Sequence, residues 1–136
     1  MFVYRRFIRL EDTDATGVIF FPNQLKIALE TFENYLRDTA YSLKKIIDSI
    51  YLMPVVHVDA DYLSTLETDD ELSVSLSLEK IGNSSFTLSY SFFNHTKQTL
   101  AGNAKVTHVF TSKETKKSFP IPDDFKQILT LLSKIP

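Results

Sequence analysis

Residues 71–81, ELSVSLSLEKI, alternate strictly along most of their length: Leu72, Val74, Leu76 and Leu78 are apolar, while Ser73, Ser75, Ser77 and Glu79 are polar. A period of two puts the two sets on opposite sides of a β-strand, and no helix can separate them in this way. Phe86, Leu88, Tyr90 and Phe92 repeat the pattern against Thr87, Ser89 and Ser91, and Gly82-Asn83 between the runs is a turn signal. The two runs predict an antiparallel hairpin with one dry face and one wet face. The dry face requires a second layer to cover it.

The rest of the chain supplies that layer. Phe2 to Leu10 is rich in aromatic and branched residues and reads as a strand, with Arg5, Arg6 and Arg9 placing one face or end in solvent. From Asn23 to Ala40, Leu25, Ala28, Leu29, Phe32 and Leu36 fall at helical spacing. Ile27 and Tyr35 widen the stripe enough to predict a deeply buried helix. A short helix over Ser42–Ile50, a strand over Val55–Leu66 and a last strand at about Leu100–Ser112 follow. Pro122 to Ile135 predicts a second amphipathic helix, with Asp123 and Asp124 suited to its first turn. Four successive strands with short turns predict an antiparallel meander, and the long helix should pack on one face of it. The expected fold class is α+β, one two-layer domain over residues 1–136.

Composition removes several kinds of chemistry. The chain has no cysteine, which excludes disulfides, thiolate metal sites and a cysteine nucleophile. A formal charge of −2 argues against a broad nucleic-acid-binding face. No apolar run approaches the ~18 residues of a membrane span, and the first ten residues lack the features of a signal peptide. The expectation is a cytoplasmic protein with no membrane span and no nucleic-acid partner. His57, His95 and His108 show no metal-ligand spacing, so no metal is expected.

Potential chemistry gathers in Glu11–Asn23, EDTDATGVIFFPN. Asp12 and Asp14 stand two residues apart, Gly17 follows in a polar turn, and Pro22 suits the first turn of the long helix. Carboxylates therefore lie close to the positive end of a helix dipole and to free backbone N–H groups. Three readings are open. Asp commonly accepts backbone N–H bonds in an exposed turn. The spacing of Asp12, Asp14, Thr16 and Gly17 matches the early positions of a calcium-binding EF-hand loop, but the position of the bidentate Glu is Asn23 and no helix leads in. Finally, a carboxylate beside a helix N-terminus can act as base or nucleophile while N–H groups polarise a carbonyl.

EDTDATGVIFFPN resembles the signature turn of the 4-hydroxybenzoyl-CoA thioesterase family of hotdog-fold enzymes, D-x-D-x-x-G leading through apolar residues into the central helix. PVVHVDADYLSTLETDDELSV resembles that family's second and third strands, and IGNSSFTLSYSF its next hairpin. The resemblance implies a hotdog fold, an antiparallel sheet wrapped around a long helix, with subunits pairing edge to edge as a homodimer or homotetramer. It implies an acyl-CoA substrate hydrolysed to free acid and CoA, water as co-substrate and no cofactor. Asp14 is the implied nucleophile or general base, and the backbone N–H of Phe21 the oxyanion donor. Asp12 shapes the turn and Gly17 frees its backbone. Relatives of the Tol–Pal-associated branch carry histidine at the position of Phe21. With phenylalanine there, the chain looks more like the aromatic-acyl branch, which includes 1,4-dihydroxy-2-naphthoyl-CoA hydrolases of menaquinone and phylloquinone synthesis.

The remaining candidates each carry two readings. Phe20 and Phe21 are candidate acyl-pocket walls. His57, sharing a strand parity with Asp59, is either a structural histidine or a polar contact to a substrate hydroxyl or to the Asp14 turn. Ser84 and Ser85 are either turn serines or contacts to the CoA arm. Lys80, Lys105, Lys113, Lys116 and Lys117 are candidate partners of the CoA phosphates or simply a solvated face. The alternatives to aromatic-acyl hydrolysis are a thioesterase for aliphatic acyl-CoA and a hotdog module that binds acyl groups without hydrolysing them.

Overall fold

A computed structural model describes residues 1–133. Strand β1 (Phe2–Phe7) and a single 3-10 turn (Leu10–Asp12) precede helix α1 (Pro22–Arg37) and the short α2 (Leu43–Ile47). Strands β2 (Tyr51–Leu52), β3 (Val55–Tyr62), β4 (Glu71–Ile81), β5 (Ser85–Asn94), β6 (Thr99–Val109) and β7 (Thr111–Ser112) follow, and α3 is Asp123–Thr130. The last residues of the predicted terminal helix lie outside the described residues. No helix among those described is long and apolar enough to cross a membrane.

The alternating runs form β4 and β5 in antiparallel register, with Leu76 opposite Tyr90 and Ser77 opposite Ser89. The five-stranded sheet has the order β1-β4-β5-β6-β3, with every pair antiparallel. Only β4, β5 and β6 are a meander. The expected four-strand meander is corrected here: β3 lies beyond β6 at the far edge, not beside β4. Segment 63–70 makes this crossing over the sheet end. Leu63 and Ser64 donate backbone N–H bonds to Ala101 O, and Asn94 Nδ2 donates to the Asp70 carboxylate at 2.8 Å. The small sheet β2-β7 stands apart.

Helix α1 covers the dry face, giving the hotdog arrangement. Its buried face consists of Gln24, Ile27, Ala28, Thr31, Phe32, Tyr35 and Leu36. Leu25 is only half-buried and Leu29 is exposed, so the apolar stripe is rotated from the predicted one. The space on the sheet explains this rotation. Gln24 lies against Gly102 of β6, where a Cβ would meet Gln24 Oε1 at 2.8 Å and Asp61 O at 2.4 Å. Gln24 Nε2 donates to Asp61 O at 3.2 Å and to Asn103 O at 3.4 Å, which pins the first turn of α1 across β3 and β6. The other end of the core is aromatic: Phe86 stacks on His108 at 5.0 Å, and Phe125 of α3 packs on Phe110 at 5.1 Å.

Two other details differ from expectation. Ser73 and Ser77, assigned to the wet face, are buried, and Ser73 bonds His95 Nε2 at 2.9 Å. Arg6 turns inward, where its guanidinium meets Asp12 and Glu30.

Candidate active site

The acidic turn is framed by Asp12. Its buried carboxylate accepts the Arg9 backbone N–H at 2.8 Å and pairs with the Arg6 guanidinium. Its carbonyl accepts the Phe20 N–H at 3.0 Å and Asn23 Nδ2 at 2.8 Å. One residue thus ties the end of β1 to the start of α1 and closes the base of the excursion between them. Above that base, Thr13 and Ile19 form a β-bridge, and the Asp14 N–H donates to Val18 O at 3.1 Å. The Gly17 N–H returns to Asp14 O at 3.0 Å, with Gly17 at φ +83°, a left-handed conformation that favours glycine.

Asp14 is thereby held at the exposed tip. Its Oδ1 accepts the Thr16 N–H at 2.8 Å and also the Thr16 hydroxyl. Among the described residues nothing donates to Oδ2. The Thr16 hydroxyl, with help from the Thr16 N–H, holds the Asp14 carboxyl below the usual carboxylate range. An ionised oxygen is left free to act as nucleophile or base.

Phe21 caps α1. Its φ and ψ, −54° and −35°, are already helical, and Pro22 follows as the first helical residue. Its carbonyl accepts the Gln24 N–H at 3.4 Å and the Tyr62 hydroxyl at 2.8 Å. Its own N–H has no acceptor among the described residues and lies at the positive end of the helix. The Phe21 ring meets Tyr62 edge-on, with centroids 6.4 Å apart. Together with Val18, Ile19, Leu63 and Ser64 the two rings line a pocket of about 350 Å³, within the range of small-molecule sites. Phe20 is exposed and does not line this pocket.

The structure brings Asp14, Gly17, Phe20 and Phe21 together at one end of the sheet, where Val18 bridges Glu67 and Ile19 N–H bonds Leu66 O. Ser84 lies at the other end, in the β4–β5 turn, with the Phe110 N–H donating to Ser84 O, and Ser85 opens β5 opposite Val109. The 11 residues of β4 separate the two ends by about 33 Å. His57 belongs to the second group: it pairs with Thr107 of β6, and its Nε2 lies 3.0 Å from Asp59 in solvent. Lys105 pairs with Glu79 at 3.1 Å. Among the described residues no group of three or more His, Asp or Glu side chains is placed to hold a metal ion. Sequence reasoning missed Tyr62, Gln24 and Gly102. Only Gly102 carried a signal, as a glycine inside a strand pattern that marks close approach of another group.

A family model described as the thioesterase-like superfamily matches residues 8–129. The chain is 31% identical over 128 residues to a 1,4-dihydroxy-2-naphthoyl-CoA hydrolase of Rippkaea orientalis, covering 93% of each chain. It is 31% identical to the enzyme of the same name from Nostoc punctiforme, covering 94% of this chain and 86% of that one. The crystal structure of a 1,4-dihydroxy-2-naphthoyl-CoA thioesterase from Synechocystis superposes with a TM-score of 0.89 at 27% identity, covering 94% of each chain.

Proposed function

The chain belongs to the thioesterase-like superfamily, and from that premise we propose that it hydrolyses an aromatic acyl-CoA, of the 1,4-dihydroxy-2-naphthoyl or 4-hydroxybenzoyl type, to the free acid and CoA. It is a hotdog-fold thioester hydrolase. The observation that carries the mechanism is the pairing of a free Asp14 Oδ2 with an unpartnered Phe21 N–H on one short excursion beside an apolar pocket.

The thioester lies at the pocket beside Phe21 with its carbonyl oxygen on the Phe21 N–H. As charge develops on that oxygen the N–H and the helix dipole stabilise it, a contribution of about 3–4 kcal/mol for one such donor. Asp14 then acts in one of two ways. As nucleophile, Oδ2 bonds to the carbonyl carbon, the C–S bond breaks, the thiolate takes a proton, and water hydrolyses the resulting anhydride. As base, Oδ2 takes a proton from a water whose oxygen attacks the same carbon. Both routes consume one water and release acid and thiol.

The second subunit follows from the edge strand. Val55, Val56 and Val58 of β3 are exposed, and the outer side of β3 has unpaired backbone groups of the kind that recruit a further strand. Two-fold antiparallel pairing of β3 with a second copy brings the Val55 end of one strand beside the Tyr62 end of the other. His57, Ser84 and Ser85 of the partner subunit then flank the Asp14 turn, where the CoA arm leaves the pocket. A homodimer is therefore the smallest complete unit. The protein acts in the cytoplasm and uses no cofactor beyond the CoA of its substrate.

The test is thiol release from a panel of aliphatic and aromatic acyl-CoAs, with Asp14→Asn as control. Aromatic preference that vanishes in the variant, with its melting temperature unchanged, is the expected result. Full turnover by Asp14→Asn would overturn the assignment of Asp14. Tight binding without thiol release in the wild type would move the function to a non-hydrolytic acyl-binding module.

A further inference from the structure

A second hollow, of about 150 Å³, lies between α1 and β3 and opens to the surface beside the exposed Leu29, Val55 and Val58. Leu25 and Leu29 of α1 face Val55, Val58 and Val106 across it. Tyr90 and His108 complete the lining, and both are more than nine-tenths buried. Such burial requires polar atoms to find partners. His108 Nδ1 has one, the Met53 carbonyl at 3.0 Å. A carbonyl only accepts, so Nδ1 carries the proton and Nε2 presents a lone pair. Burial lowers the His108 pKa, which keeps the ring in this neutral form. Neither Nε2 nor the Tyr90 hydroxyl has a partner among the described residues, and no unpartnered polar side-chain atom is sealed from solvent. Both atoms therefore open onto the hollow.

The size of the hollow and its two polar atoms define what fits. An apolar cavity of this volume holds one benzene-sized ring. A lone pair on Nε2 selects a hydrogen-bond donor, and a tyrosine hydroxyl can give or take a bond. The hollow also lies in line with the reacting centre. Leu25 stands four residues past Phe21, about 6 Å along the helix, and β3 lends Tyr62 to the first pocket and Val58 to this one.

We propose that this hollow receives the distal part of the acyl group as a hydroxyl-bearing aromatic ring, with Tyr90 and His108 as the specificity-determining residues that read the hydroxyl. This rests on the thioesterase reading above. A hydroxyl on the ring edge away from the thioester donates to His108 Nε2 and exchanges a bond with Tyr90 Oη. An unsubstituted ring leaves both atoms unpaired and gains only the apolar contact. An aliphatic chain does the same.

The experiment compares kcat/KM for 4-hydroxybenzoyl-CoA and benzoyl-CoA in the wild type, Tyr90→Phe and His108→Asn. Tyr90→Phe removes one oxygen and keeps the ring. His108→Asn keeps a donor for the Met53 carbonyl and removes the Nε2 acceptor. The wild type is expected to prefer the hydroxylated substrate by about tenfold or more. Each variant should reduce that preference, through a KM for 4-hydroxybenzoyl-CoA that rises more than the KM for benzoyl-CoA. Thiol release with the same preference in all three proteins would overturn the proposal and leave the thioesterase reading standing. Absence of thiol release in the wild type would instead defeat that reading, and calorimetry with phenol and toluene would then decide the hollow. Phenol binding more tightly than toluene in the wild type but not in Tyr90→Phe supports it. Equal binding, or none, overturns it.

Discussion

Replacing Gly102 with alanine tests how α1 is seated, and with it the position of the Phe21 N–H proposed as oxyanion donor. Gly102 has no positive φ, so its backbone would accept a side chain; space is the constraint. An added Cβ meets Asp61 O at 2.4 Å and the Gln24 amide at 2.8 and 2.9 Å. Ordinary carbon–oxygen contacts begin near 3.3 Å, so β3 and β6 must part locally by roughly 1 Å. The Gln24 amide can swing away, but Asp61 O is backbone in a paired strand and cannot. Overpacking costs about 1–3 kcal/mol, and a backbone obstacle places this site at the upper end. For a chain of this length that corresponds to a melting temperature lower by roughly 10 °C. Turnover should fall as well, because the displaced turn carries Phe21. Circular-dichroism melts of Gly102→Ala beside Gly82→Ala provide the assay. At Gly82 the new Cβ meets the rotatable Ser85 hydroxyl at 3.1 Å, so that variant should remain close to wild type. Equal melting of Gly102→Ala and wild type would refute the reasoning that Gln24 and Asp61 close on this residue.

Two further substitutions probe the turn. Asp12→Ala removes one partner of an ion pair whose two side chains are each 9% exposed. Glu30, 3.1 Å from Arg6, keeps part of the compensation, so the loss should be about 3 kcal/mol, the low end for a broken buried pair. Urea unfolding midpoints measure it, and a loss below about 1 kcal/mol would mean the pair is solvated. Thr16→Val concerns pH. The Thr16 hydroxyl is the main cause of the lowered Asp14 pKa, so wild-type Asp14 stays ionised at pH values where an ordinary carboxyl begins to protonate. Activity that needs the carboxylate persists until pH falls through that lowered pKa. Without the hydroxyl the pKa rises, and the acid limb of the kcat/KM profile should move to higher pH; an unmoved limb would separate Asp14 from the rate.

The strands were legible because their period is local and unbroken: β4 and the dry face of β5 follow directly from alternation. The Asp14 turn was legible because Asp, Gly and Pro each act on the backbone within a few residues. What the sequence hid depends on contacts between distant residues. The position of β3 is set by segment 63–70 crossing the sheet end, and no periodicity encodes which edge a strand joins. The rotation of α1 follows from Gln24 filling the space above Gly102, 78 positions along the chain, so the leucines expected in the core open onto a hollow instead. Ser73 reads as a surface residue by parity, yet it is buried in contact with the His95 ring, 22 residues away.

The separation of the candidate residues into two groups leads to the most demanding prediction. The Asp14 turn and Phe21 sit at one end of the sheet and Ser84 and Ser85 about 33 Å away at the other along β4, while His57 stands about 17 Å along β3 from Tyr62. No side chain spans that distance, so if both groups serve one site the site is completed by a second copy. Ser84→Asp places a negative charge where the CoA arm should leave the pocket, and this should raise KM; Asp14→Asn should abolish the chemical step. Each homodimer is then impaired at both of its sites. Unfolded together and refolded as a mixture, half of the dimers are mixed. Each mixed dimer has one site with both defects and one with neither. At acyl-CoA concentrations well below KM the mixture should therefore recover about a quarter of wild-type turnover. The two proteins combined without refolding should show only the sum of their residual rates. If refolding restores nothing while each variant folds and dimerises, Ser84 does not belong to the site that Asp14 serves, and the CoA arm leaves along another surface.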